Sequence, residues 1–116
     1  MKPTKTQKAR LYTLLRKAVI RRDGEICQKC GKTQILHLSH IYPKGKYRRM
    51  EFELDNVKLL CAGCHIFWWH KNPIEAHEWL QTVVPKERLD KLRLQAQYID
   101  KSPIDYAALE LYLENI

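Results

Sequence analysis

The chain has 116 residues, with 29% charged side chains and a formal net charge of +8. This length fits one domain over residues 1–116, and no apolar run approaches the roughly 20 residues that span a bilayer, so no membrane role is expected. The charge is uneven: residues 1–50 carry 14 lysines and arginines against 2 acidic residues, and residues 51–116 carry 7 against 11. A basic half of this kind is typical of proteins that bind a polyanion, with a solvated basic face as the alternative.

The first predicted element is a basic amphipathic helix at residues 4–20, within an N-terminal unit at residues 1–22. Its apolar residues recur at helical spacing, with lysines and arginines off that stripe; they are Leu11, Leu14, Leu15, Ala18 and Val19. The segment Arg21-Arg22-Asp23-Gly24 is expected to end the helix, because glycine is a common stop signal.

All four cysteines lie in two Cys-x2-Cys pairs, Cys27/Cys30 and Cys61/Cys64. A two-residue gap lets two thiolates reach one ion from a tight turn, and two such turns complete a tetrahedral shell of four sulfurs, which suits Zn2+. A pair of disulfides is the rival interpretation, and it is disfavoured by the metal-knuckle spacing and by the lack of a signal peptide. The pattern therefore predicts a structural zinc ion in a protein of the reducing cytoplasm.

The segment 23–71 holds both cysteine pairs and predicts the order strand, long loop, strand, helix. Bulky residues at 35–41 and 57–60 favour the two strands, and the loop between them runs to about Asp55. From Cys64 onward the chain is typical of the first turns of a helix.

The segment 72–116 is predicted to be helical. Asn72-Pro73-Ile74-Glu75 has the order of a capping box with proline at the first helical position, and Ser102-Pro103-Ile104-Asp105 repeats that order more weakly. Pro85 begins a further helix between them. The whole chain is therefore expected to be α+β and mainly helical.

Two strings within residues 23–71 carry a family resemblance. The first is Leu-Ser-His-Ile-Tyr-Pro around His40, and the second is Asp-Asn-Val-Lys-Leu-Leu-Cys-Ala-Gly-Cys-His, with nine positions from Asn56 to His65. In this combination the chain resembles the HNH endonuclease family, whose core is the ββα-metal, or His-Me finger, fold. The resemblance covers somewhat under half of the chain. It implies a ββα finger stapled by the zinc site and flanked by an N-terminal helix and C-terminal helices.

The resemblance also implies a role for each matched residue. His40 would be the general base that takes a proton from the attacking water, because imidazole titrates near neutral pH. His65 would hold a divalent cation such as Mg2+, Mn2+ or Ni2+ against the scissile phosphate. Asn56 would order the loop and help to fix His40 by hydrogen bonding.

One position departs from the family's pattern. Many relatives have an aspartate just before the base, where it shares the catalytic cation, and this chain has Ser39. A hydroxyl is a poorer cation ligand, so Ser39, His37 and His70 are the further candidate ligands. An ideal strand places His37 on the face opposite His40, and an ideal α-helix places His70 about 140° from His65. We therefore expect weak cation binding that the substrate assists.

The activity implied by the resemblance is metal-dependent hydrolysis of DNA phosphodiester bonds, by nicking or by double-strand cleavage. The loop between the two strands adds basic residues expected to contact phosphates, namely Lys44, Lys46, Arg48 and Arg49. The alternative function is a zinc-stabilised module that binds nucleic acid without catalysis. Similarity to small phage-encoded HNH proteins further implies partner proteins used in DNA packaging or recombination.

Overall fold

The computed structural model describes residues 2–98 and 100–116, and the fold is α+β and mainly helical, as the sequence predicts. Its elements, in chain order, are helix α1 (Lys5–Asp23), strand β1 (Leu36–His40), two 3-10 turns (Arg48–Met50 and Leu54–Asn56), strand β2 (Val57–Cys61), a π-helix (Cys64–Trp69), and helices α2 (Pro73–Val83), α3 (Lys86–Gln97) and α4 (Tyr106–Glu114). Among the residues described, no helix has both the length and the apolar character needed to cross a membrane.

The two strands form an antiparallel pair whose register decides which functional residues meet. Leu36 lies opposite Cys61 at one end, and His40 lies opposite Val57 at the other. Every residue of β2 is buried, so this strand runs through the centre of the core. The cysteine pair that begins with Cys61, the last residue of β2, therefore sits at one end of the sheet, and Asn56, which precedes β2, sits at the end that carries His40.

Helix α1 covers one side of this core. Its N-terminus is capped by Thr4, whose hydroxyl oxygen accepts a hydrogen bond from Gln7 N at 3.0 Å. The predicted apolar stripe is confirmed, because four of its members are buried and Leu14 packs against the same core; the four are Leu11, Leu15, Ala18 and Val19. The helix ends at Asp23 with Gly24 as its C-cap, which confirms the predicted glycine stop, and Arg22 in the last turn bonds to the carbonyl oxygens of Leu54 and Val57.

The C-terminal helices begin close to the predicted positions, but two of their caps differ from the expectation. Asn72 is the N-cap of α2 and makes no side-chain capping bond, because its amide points back to Phe67 O at 3.5 Å. Helix α4 begins at Tyr106, where Asp105 accepts a hydrogen bond from Ala108 N at 3.0 Å. The predicted start at Ser102 is therefore wrong by a few residues.

Candidate functional site

The four cysteines converge on one point. Their sulfur atoms all lie within 4.8 Å of one another, and Sγ of Cys30 is 3.6 Å from Sγ of Cys61. These distances exceed a disulfide bond of about 2.05 Å, and all four thiols are free. In each pair a backbone N–H donates to the first sulfur: Cys30 N to Cys27 Sγ at 3.5 Å, and Cys64 N to Cys61 Sγ at 3.4 Å. The cluster could hold a metal ion.

Two of these thiols have shifted pKa values, in opposite directions. Burial alone would raise the pKa of Cys27, but the N–H groups of Cys61, Cys30 and Lys29 stabilise its thiolate and lower that pKa to about 6. Burial and the neighbouring sulfurs raise the pKa of Cys64. Four thiolates cannot share so small a volume unless a cation offsets their repulsion. The donor set therefore fits a thiophilic metal ion.

His40 is held in a single orientation at the end of β1. Its Nε2 lies 2.8 Å from Glu51 O, and because a carbonyl oxygen can only accept, Nε2 carries the hydrogen. In a neutral imidazole this leaves Nδ1 as the acceptor, and no hydrogen-bond partner for Nδ1 is found within residues 2–98 and 100–116. Burial, together with the nearby positive charge of Lys44, lowers the pKa of His40, although the Glu51 carbonyl opposes this. His40 is thus neutral near pH 7, with Nδ1 ready to take a proton.

Asn56 is fully buried and ties the ends of the long loop together. Its Oδ1 accepts from Tyr42 N at 2.8 Å, and its Nδ2 donates to Tyr42 O and to Met50 O, each at 3.0 Å. Met50 precedes Glu51, whose carbonyl oxygen is bonded to His40. Asn56 therefore fixes His40 indirectly, through the backbone of Tyr42 and Met50, and does not bond to the imidazole.

His65 lies between two other imidazoles. Its Nδ1 is 3.0 Å from Nδ1 of His37, and its Nε2 is 3.0 Å from Nε2 of His70. The expectation that His70 lies about 140° away is wrong, because residues 64–69 form a π-helix and not an α-helix. In a π-helix residue i bonds to residue i+5, and His70 N does donate to His65 O at 3.3 Å, which puts both side chains on one face.

A cavity of about 510 Å3 opens where these groups meet. Its lining includes His40, His65, His70, His77, Lys44 and Trp69. Within the described ranges no aspartate or glutamate lines it, and neither do His37 and Ser39. Burial, followed by the nearby imidazoles, lowers the pKa of His65 to about 4, so this ring is also neutral. The cavity therefore places the neutral rings of His40 and His65 beside a lysine.

The remaining predicted ligand, Ser39, is not part of this cavity. It is fully buried, and its hydroxyl has no hydrogen-bond partner among the residues that the structure describes. Ser39 pairs with Lys58 within the sheet. The structure thus brings His65 and His70 together on the cavity wall, with His37 on the far side of His65, and leaves Ser39 apart.

The four basic loop residues are not equivalent. Lys44 lines the cavity, and its Nζ is 3.3 Å from the hydroxyl oxygen of Tyr12. Lys46 lies over the ring of Tyr47, and Arg48 is exposed. Arg49 is engaged with the segment before α4, where its Nη2 donates to Ser102 O at 2.6 Å and lies 3.6 Å from the carboxylate of Asp100.

The contacts between helix α1 and the loop that joins the two strands were not predicted from the sequence. The hydroxyl of Tyr12 donates to the carboxylate of Glu51, Lys8 pairs with the same carboxylate at 3.4 Å, and the Tyr12 ring meets His40 edge-on, with a centroid distance of 6.5 Å. These contacts join positions that lie 28 to 43 residues apart in the chain. No local pattern in the sequence could have signalled them.

Two arginines hold the turn that presents Asn56. Arg22 of α1 donates to Leu54 O at 2.7 Å and to Val57 O at 2.6 Å, and Arg88 of α3 donates to Asp55 O at 2.8 Å. The carbonyl oxygens on both sides of Asn56 are thus bonded to helices that lie outside residues 23–71. Arg22 had been interpreted only as part of a helix end.

Comparison of the chain with protein-family models, with curated proteins and with solved structures finds no match in any of the three.

Proposed function

We propose that this chain is a metal-dependent endonuclease of the HNH type that hydrolyses DNA phosphodiester bonds. The observation that carries the proposal is the orientation of His40: its Nε2–H is tied to Glu51 O, its Nδ1 is free to accept a proton, and it shares a cavity with His65. A neutral, oriented imidazole at the edge of a cavity is what a general base requires.

In the same proposal, β1, β2 and the π-helix form a ββα-metal finger, and the four cysteines hold Zn2+. The order of these three elements and the cysteine cluster at the end of β2 support this assignment. Four thiolates would leave a tetrahedral ion no open position, so the zinc would have a structural role only.

His40 would act on a water molecule in the cavity. As the water oxygen forms its bond to phosphorus and the bond to the leaving oxygen breaks, Nδ1 of His40 would take the water proton. The resulting imidazolium would be stabilised by the Glu51 carbonyl, which accepts from Nε2–H. Asn56 would keep that carbonyl in place through its bond to Met50 O.

His65 is the proposed holder of the divalent cation. Two observations fit this role: its Nε2 faces a second imidazole nitrogen at 3.0 Å, and its pKa is low enough for a lone pair to be available at neutral pH. When bound, a divalent cation would neutralise the charge that develops on the phosphate and on the leaving oxygen.

DNA is the substrate that the charge distribution favours. The basic residues 1–50 include Lys44 on the cavity wall and exposed Arg48 in the loop beside it. A phosphate backbone that entered the cavity would lie close to the positive charge of Lys44.

The test is conversion of supercoiled plasmid by the purified chain with Mn2+, Mg2+ or Ni2+, compared with EDTA and with His40→Ala. Relaxed or linear DNA that requires both metal and His40 is the expected result, and the ratio of the two products separates nicking from double-strand cleavage. His77→Ala is the matched control, because His77 lines the same cavity without bonding to Glu51.

The second candidate function is nucleic-acid binding without catalysis, and one observation favours it. No acidic side chain lines the cavity within the described part of the chain, and many HNH enzymes have an aspartate beside the base. A plasmid that stays supercoiled with every metal, yet shifts on a gel equally with the wild type and with His40→Ala, would support this function over the nuclease.

A further inference from the structure

A second cavity, of about 570 Å3, lies beside the cavity that contains His40, and Gly45 lines both of them. Three segments surround it: residues 45–50 of the loop between the strands, the end of α3, and residues 100–104 before α4. Its volume falls within the range of about 300–1,000 Å3 that is typical of sites for small organic ligands. Neither His40 nor His65 lines this second cavity, so it is separate from the proposed catalytic site.

The lining of the second cavity is strongly positive, and we call it the basic pocket. It has one carboxylate, that of Asp100, and four cations, which are Lys46, Arg48, Arg49 and Lys101. The carboxylate is already engaged, because it accepts from Ser102 Oγ at 2.6 Å and lies 3.6 Å from Nη2 of Arg49. In the described part of the chain, Lys46, Arg48 and Lys101 form no ion pair. This excess of positive charge favours an anionic ligand.

Two tyrosines of the basic pocket differ in how much of the ring is available. The ring of Tyr47 is occupied, because Nζ of Lys46 lies 5.4 Å from its centroid and Tyr42 packs against it with a centroid distance of 5.3 Å. Tyr98 is the C-cap of α3, where its backbone N–H donates to the carbonyl oxygens of Leu94 and Gln95, and it is 73% exposed. The helix therefore fixes the position of Tyr98 and leaves its ring open to solvent.

We propose that the basic pocket binds one unpaired nucleotide of a DNA strand, whose base stacks on Tyr98 and whose phosphate pairs with Arg48 and Lys101. An exposed ring beside unpaired cations matches both parts of a nucleotide, whereas an inorganic anion would use the cations alone. The bases of a duplex are stacked on one another, so their faces are closed to a tyrosine ring. The pocket therefore selects an unpaired nucleotide over a paired one.

The surface between the two cavities gives the path of such a strand. A Cβ atom built on Gly45 would meet no heavy atom within 4 Å beyond its chain neighbours, so this surface is open. Lys44 lines the His40 cavity on one side of Gly45, and Lys46 lines the basic pocket on the other. Successive cations of this kind follow a phosphate backbone. This path rests on the proposed function, whereas binding in the pocket does not, and it makes DNA with an unpaired nucleotide beside the cleaved bond the favoured substrate.

The experiment compares two fluorescein-labelled DNAs by fluorescence anisotropy: a blunt duplex, and the same duplex with a short single-stranded tail. The protein carries Zn2+ in its four-cysteine site, and no other divalent cation is added. Wild type should bind the tailed duplex more tightly than the blunt one. Tyr98→Ala should weaken binding of the tailed duplex by about 5–100-fold and leave that of the blunt duplex unaffected. Tyr98→Phe keeps the ring and should bind as the wild type does.

Two further variants separate the pocket from its surroundings. Leu94→Ala is the matched control, because Leu94 is exposed on the same helix, one turn before Tyr98, and lies outside the pocket. It should bind both DNAs as the wild type does. Lys101→Ala should reduce the salt dependence of affinity for the tailed duplex by about 0.7 units of slope, without changing that for the blunt duplex. Unchanged far-UV circular dichroism confirms that each variant is folded.

Equal affinity of the wild type for the two DNAs would overturn the proposal, as would a preference for the tail that survives Tyr98→Ala. Displacement of the tailed duplex by deoxyadenosine monophosphate at the concentration of the oligonucleotide would also overturn it, because the pocket would then serve a free nucleotide. The plasmid assay distinguishes this inference from the proposed function. His40-dependent cleavage without a preference for the tail refutes the inference alone, and a Tyr98-dependent preference without cleavage refutes the nuclease alone.

Discussion

Replacement of Asn56 by alanine should destabilise the fold strongly, because its side chain satisfies three buried backbone groups. The bonds are those to Tyr42 N, Tyr42 O and Met50 O, at 2.8–3.0 Å, and Asn56 is 0% exposed. At about 1 kcal/mol for each net hydrogen bond, Asn56→Ala should lower the free energy of unfolding by about 3 kcal/mol. In a domain near 100 residues this corresponds to a fall in Tm of about 12 °C.

The assay is thermal unfolding of the metal-loaded protein, followed by circular dichroism. Asn72→Ala is the matched control: Asn72 is exposed and its amide makes one long contact of 3.5 Å, so its loss should cost less than about 1 kcal/mol. Asn56→Asp separates lost hydrogen bonds from lost volume, since it keeps the shape but turns an oxygen towards two carbonyl oxygens. It should be at least as destabilising as alanine at pH 7, and less so at low pH, where protonation restores one donor.

A melting temperature of Asn56→Ala within about 2 °C of the wild type would refute this reasoning, because the three backbone groups would then find other partners at no cost. Equal losses in Asn56→Ala and Asn72→Ala would refute it as well. Neither result depends on the proposed activity.

Burial and the charge of Lys44 lower the pKa of His40, so the midpoint of the acid limb of the pH–rate profile should lie below about pH 6.5. Lys44→Ala should raise this midpoint, because the imidazolium loses a repulsive neighbour. An unchanged midpoint would contradict the prediction. If the four cysteines hold a structural ion, Cys61→Ser should abolish metal binding and unfold the segment around the cluster. Metal content and far-UV circular dichroism measure this, and a folded, metal-free variant would argue against a structural site. Arg48→Ala should reduce the salt dependence of DNA affinity by about one unit of slope. Arg49→Ala should also lower Tm, because Arg49 is bonded to Ser102 and Asp100. A variant with a smaller salt dependence of DNA affinity and an unchanged Tm would mean that those bonds do not stabilise the fold.

Much of the site could be predicted because its signals are local. A Cys-x2-Cys pair specifies a turn by itself, and two pairs leave few arrangements other than one cluster. The stripe from Leu11 to Val19 and the strands on both sides of the loop follow from periodicity and bulk in the same way. The zinc ion, the finger and the nuclease activity remain predictions.

The features of the site that could not be predicted from the sequence depend on helix geometry and on contacts between residues far apart in the chain. The segment from Cys64 to Trp69 has the composition of an ordinary helix, and nothing in it indicates i to i+5 bonding, so the alignment of His65 with His70 was missed. Arg49 differs from Arg48 only through a partner about fifty residues away. Such pairings are decided by tertiary packing, on which charge counts carry no information.

The relation between His40 and His65 depends on strand register, and the two ends of the sheet are fixed by different means. At the end where Leu36 faces Cys61, the cysteine cluster joins β2 to the knuckle before β1. At the end where His40 faces Val57, Asn56, Arg22 and Arg88 bond to the backbone. A one-residue slip would turn β1 over and remove His40 from the cavity, and a two-stranded sheet alone resists such a slip weakly. Helices α1 and α3 therefore help to position His40, because they supply the two arginines.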